Sequence, residues 1–124
     1  MHRRLFLLTG GFLIAVGLVL LFAPQAYVSL YAVDYAAGMD FPARRFAPVV
    51  LAMGTVLVLA RTHASERFLL DLSLIAAAAF LAVAATGLHA WLTGVARPTI
   101  LAAAAVEALL ATAFLAVWLH LRNR

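Results

Sequence analysis

Four side chains of types that do chemistry lie in or beside apolar runs of this 124-residue chain: Arg44, Thr86, His89 and Glu107. An ionisable group inside hydrocarbon costs ~2.5–3.5 kcal/mol on insertion scales, so each one needs a reason to be there. Glu107 sits more than two helical turns inside its run, with Ala103, Ala104 and Ala111 at helical spacing. Stripes of small residues mark helix–helix contact in lipid, so Glu107 is expected to face protein. The same reasoning places His89 on a stripe with Ala78, Ala82, Ala85 and Thr86, leaving Leu74, Leu81, Leu88 and Leu92 for lipid. Arg44 shares a helical face with Ala47, Leu51 and Gly54. The expected constellation is a buried polar cluster of Arg44, His89 and Glu107, with Thr86 as a nearby hydroxyl. In it the guanidinium would hold the carboxylate in a fork. Such a cluster either locks a bundle together or forms a polar recess for the head of a hydrophobic ligand, a quinone or a lipid.

The elements that must carry these residues follow from composition. Apolar residues make up 67% and charged residues 11% of the chain. Mean hydropathy is +1.08. A soluble domain has about half its residues apolar and about a quarter charged, and a small one cannot hide such an excess. Lipid is therefore part of the solvent, and the length suits one domain over residues 1–124. Four apolar runs predict an all-α integral membrane four-helix bundle with spans at about 5–23, 42–61, 67–92 and 98–121. The first run is longer than the ~7–15-residue core of a signal peptide and is read as a retained helix with Gly10 and Gly17 on its packing face. The second is long enough only if its helix begins near Pro42, with Asp40 as N-cap, and continues through Pro48, which implies a kink there and an unpaired carbonyl at Arg44.

All nine basic residues are arginines. Under a four-span arrangement Arg3, Arg4, Arg61, Arg67, Arg122 and Arg124 fall on one side, and Arg44, Arg45 and Arg97 on the other. The larger set marks the cytoplasmic side, so both termini are expected there, in a bacterial inner membrane. Trp91 and Trp118 then lie near opposite interfaces. The segment between the first two spans is expected to hold a short interfacial helix, on which Tyr27, Tyr31 and Tyr35 would share one face. Arg67 and Asp71, four residues apart, suggest an edge ion pair. His2, His63 and His120 share the cytoplasmic side, but their spacing matches no metal-ligand motif. The chain has no cysteine, which excludes disulfides and thiolate chemistry. The arginines are scattered, without the basic helix or aromatic–basic surface that nucleic acid requires. No catalytic triad, phosphate loop or haem, flavin or iron–sulfur motif occurs, so no catalytic residue and no resident cofactor are expected.

An apolar first span ends in Phe22-Ala23-Pro24, and Tyr31-Ala32-Val33-Asp34 follows in the outer segment. The second span carries Arg44, then Ala47 and Gly54, and ends in Leu59-Ala60-Arg61. In this order of parts the chain resembles the small four-helix bacterial membrane proteins allied to the DoxX-like group. The resemblance implies a four-helix membrane fold and, through DoxX itself, a link to quinone-coupled sulfur oxidation. The residues themselves favour a non-enzymatic bundle that binds a hydrophobic ligand or a membrane partner. Membrane lipids surround it, and it is expected as a homo-oligomer or a subunit of a larger membrane complex. Two alternatives are a quinone-handling accessory subunit of a redox complex and a small ion-coupled transporter with Glu107 as proton carrier. The latter fits less well, because the chain shows no internal repeat.

Overall fold

A computed structural model describes residues 2–124 and is all-helical apart from short connections. In chain order the helices are α1 (His2–Phe22), α2 (Pro24–Tyr31), α3 (Asp40–His63), α4 (Glu66–Leu92) and α5 (Thr99–Arg122). Four of them, all but α2, are long and apolar enough to cross a membrane. Their outward surfaces carry large apolar side chains such as Leu8, Phe22, Leu81, Leu92 and Leu109, as expected where lipid is the solvent.

Helices α1 and α3 run antiparallel and touch backbone to backbone. A Cβ added to Gly10 would lie 2.6 Å from the Gly54 carbonyl oxygen, and one added to Gly54 would lie 2.7 Å from that of Gly10. Seven residues along, Gly17 receives the Leu51 side chain. Without side chains at these points, the two helices approach closely enough for dispersion to hold them where lipid supplies no hydrophobic drive.

Each end of this pair is closed by an arginine. Arg3, at the start of α1, donates to the carbonyl oxygens of Ala60 (3.4 Å), Arg61 and Ala64 (3.2 Å) at the end of α3. Arg44, near the start of α3, donates through Nε to the Leu21 carbonyl oxygen at the end of α1, 3.1 Å away. The last carbonyls of a helix have no intrahelical donor and carry the negative end of its dipole, so a guanidinium there meets both needs.

Helices α4 and α5 form the second pair. Ser65 caps α4 by accepting from the Phe68 amide at 3.2 Å. At the other end Gly94, with φ of 82°, closes a Schellman motif, in which its amide donates to Trp91 O and the Val95 amide to Ala90 O. The two pairs join at the end of the bundle that carries Arg3 and Arg124, the near end. There Phe6 meets Phe114 edge-on at 5.2 Å, Phe80 stacks on Phe114 at 6.1 Å, and Leu57 and Leu69 complete a buried core.

The spans fall close to those expected, with three differences. Helix α1 begins at His2, so Arg3 and Arg4 are helical. Helix α3 begins at Asp40, after a 3₁₀ turn over Ala37–Met39, so Asp40 is not its N-cap. The Asp40 Oδ2 instead accepts from the Tyr35 hydroxyl at 2.6 Å. Helix α3 runs unbroken through Pro48, as its length requires. At the near edge the ion pair is Arg124–Glu66, at 2.7 Å, rather than Arg67–Asp71. Being half exposed, it contributes about 0–1 kcal/mol.

The glycine crossing generates a test with an internal control. Gly10→Val places a side chain against the Gly54 carbonyl and the Val58 amide, backbone that cannot step aside. Its neighbour Gly11 has open space around it. Gly10→Val is expected to cost about 1–3 kcal/mol and to lower the melting temperature in detergent, while Gly11→Val leaves it unchanged. Equal effects would show that the crossing does not hold the pair.

Candidate functional site

Pro24 fits the first turn of a helix because its ring presets φ and its missing amide is not needed there. It opens α2 directly after α1, and Ala32, in extended conformation, ends it. The far end of α2 is tied to the turn between α4 and α5. The Arg97 amide donates to Tyr31 O at 2.6 Å, the Val33 amide to Val95 O at 3.2 Å, and the Thr99 hydroxyl to Leu30 O at 2.6 Å. These bonds hold α2 across the far end of the bundle.

Fixed in this way, Tyr27 and Tyr31, one helical turn apart, bring their rings to 5.1 Å in an edge-to-face pair. Both line a cavity of about 450 Å³ that runs towards the middle of the bundle. Glu107 of α5 lines the same cavity, and among the described residues these three are its only polar lining residues. The rest of the wall is apolar and includes Phe12 and Leu20 of α1, Val50 of α3, Phe80 and Val83 of α4 and Ala103 of α5. Burial lifts the Tyr27 phenol above its ordinary value of 10.0, and the neighbouring Tyr31 and then Glu107 add to the rise. Tyr35 is not part of this face, because the chain leaves the helix after Tyr31 and carries it to Asp40.

The four residues expected to cluster are not joined. Arg44 is exposed and spends its donor on the Leu21 carbonyl. Thr86 is exposed and donates to Val83 O, in its own helix, at 2.7 Å. His89 is exposed. Among the described residues, no arginine or histidine lies within ion-pair distance of Glu107.

The reason is the rotation of α4. Its buried face is Leu69, Leu72, Ser73, Ala76, Ala77, Ala84 and Gly87, while Ala78, Ala82, Ala85, Thr86 and His89 are exposed. An alanine-rich helix offers several stripes of small residues. The inner one here is chosen by Leu69, Leu72 and Phe80, which fill the core, and by Gly87, which lets Ile100 and Ala104 of α5 approach. Leu74, Leu81, Leu88 and Leu92 do face outward, and Glu107 does face protein. His2 and His120 share a cavity between α1 and α5 at the near end, whereas His63 lines a different one.

In the sequence, Glu107 and the Tyr27, Tyr31 and Tyr35 series stand as unrelated features. The signal that joins them is the helix-starting Pro24, which turns α2 back over the bundle. Compared with known proteins, the chain matches no family model, no curated protein and no solved structure. The likeness to the DoxX-like group therefore rests on the residues quoted for it alone.

The separation of Arg44 from Glu107 is open to a double-mutant cycle. Arg44→Gln and Glu107→Gln are expected to act independently, their effects on unfolding in detergent adding within about 0.3–0.5 kcal/mol. A coupling above about 1 kcal/mol would restore the ion pair that the structure lacks.

Proposed function

We propose that this multi-pass membrane protein binds a hydrophobic, single-headed amphiphile in the recess beneath α2. The polar head sits at Tyr27, Tyr31 and Glu107, and the tail lies against the apolar wall towards Phe80. One observation carries the reading. Three polar side chains from two helices line one cavity whose other lining side chains are apolar. Small-molecule sites have this make-up, mostly apolar with a few placed polar groups, and its size falls in their usual range of ~300–1,000 Å³. Two phenols and a carboxyl offer a head both donors and acceptors. A quinone or a membrane lipid meets the same description, and the reading asks for no catalysis by this chain.

The proposal includes a setting. Both termini are placed on the cytoplasmic side of a bacterial inner membrane, with α2 as an interfacial helix at the outer leaflet. Arginine placement supports this, six at the near end against three at the far end. The recess would then draw its ligand from the outer leaflet, in a single copy, in a homo-oligomer or within a larger membrane complex.

Two experiments test the reading. In intact cells, an impermeant maleimide is expected to label Gly38→Cys and to spare Arg124→Cys, a clean assay because the chain has no cysteine of its own. The reverse pattern would invert the orientation. Native mass spectrometry of protein released from bilayer nanodiscs is expected to show a bound amphiphile on the wild type. Ala103→Phe, which fills the recess from a wall position without touching its charge, is expected to lose it while keeping the same melting temperature. An adduct that persists in Ala103→Phe would place the ligand elsewhere.

A further inference from the structure

The make-up of the recess says more about its occupant than that it is amphiphilic. Glu107 brings an acidic group to the lining, and among the described residues no arginine, lysine or histidine lines the cavity with it. The three arginines of the far end are engaged or turned away: Arg44 is bonded to the Leu21 carbonyl, and Arg45 and Arg97 are exposed and off the wall. Four aromatic rings stand in the same wall, those of Phe12, Tyr27, Tyr31 and Phe80. A carboxylate kept from water needs a cation or else keeps its proton. Aromatic faces attract a positive group through the ring quadrupole, more strongly where water is excluded. An anionic head would meet Glu107 with no basic side chain to offset it, and a neutral head, though it can hydrogen-bond, brings no counter-charge.

We propose that the recess selects a positively charged head: an ammonium group on an apolar tail, held by Glu107 and by the faces of Tyr27 and Tyr31. This rests on the amphiphile-binding reading above and adds the sign of the charge. The ammonium has two sources, a free amphiphilic amine or the choline or ethanolamine end of a zwitterionic lipid.

The test compares heads on one tail. Protein in nanodiscs of phosphatidylglycerol is titrated with dodecyltrimethylammonium, 1-dodecanol and dodecylphosphocholine, with empty nanodiscs subtracted. Wild type is expected to bind dodecyltrimethylammonium at least about tenfold more tightly than dodecanol, and Glu107→Gln to bring the two to parity by weakening the cation alone. Glu107→Asp, which keeps the charge on a shorter stem, is expected to retain part of the preference. Dodecylphosphocholine binding as tightly as dodecyltrimethylammonium supports the lipid source, and weaker binding supports a free amine. Equal affinity of wild type for dodecyltrimethylammonium and dodecanol overturns the charge selection while leaving the amphiphile site standing. Failure of every probe to bind removes both. The wild-type comparison needs no variant, so it decides the matter even if Glu107→Gln does not fold.

Discussion

The close approach of two backbones, at Gly10 and Gly54, sets the geometry on which the rest of the molecule depends. In lipid an apolar side chain gains nothing by leaving its surroundings for another apolar side chain, so a helix pair is held by contact at short range. The glycines allow that contact at one point, and the arginines extend it to both ends. Arg3 on the carbonyls that end α3 and Arg44 on the carbonyl that ends α1 act as two clasps, each helix supplying the donor that its neighbour lacks. The reciprocity is a property of antiparallel neighbours. The start of one helix lies beside the end of the other, so a basic residue near either start is delivered to a negative helix end.

From this fixed pair the asymmetry of the bundle follows. At the near end, Phe6 reaches from α1 to Phe114 of α5, and with Phe80 of α4 it fills the space between the pairs. At the far end a recess remains between the pairs. Phe12, Leu20, valines, alanines and the half-buried Glu107 line it, and α2 lies across the opening with Tyr27 and Tyr31, pinned by backbone hydrogen bonds to the α4–α5 turn. The cavity is thus the complement of the aromatic plug.

What the sequence made legible was whatever the bilayer or the backbone enforces. Span lengths, the glycine face of α1, the helical start before Arg44 and the inward-facing Glu107 all follow from the cost of exposing polar groups to lipid or from the absence of a Cβ. The rotation of α4 was not legible. Its positions 76–79, 82, 84 and 85 are all alanine, so small-residue stripes run down more than one face, and hydrophobicity has no preference among them. The decision falls to shape: where Leu69, Leu72 and Phe80 find room, and where Gly87 lets α5 approach. The sequence pairs Arg44 with Glu107, whereas its guanidinium bonds the Leu21 carbonyl oxygen. A side-chain carboxylate is visible in a sequence, whereas the orphan carbonyl at the end of α1 is visible only once α1 and α3 are known to be antiparallel.

That exchange of partners changes which residue poses the chemical question. Had Arg44 met Glu107, the carboxylate would be neutralised from within and the network would need nothing further. With Arg44 committed to the Leu21 carbonyl, and His89 and Thr86 turned outward, Glu107 has no basic side chain within ion-pair distance among the described residues. An acid in this position is expensive to keep unless something makes use of it, since alanine or leucine would pack the α5 face at no such cost. The two tyrosines line the same cavity as Glu107, from α2, a helix of eight residues that is too short to span. Structure and energetics therefore point to one place, the far end beneath α2, as the part of the molecule that a packed bundle alone does not account for.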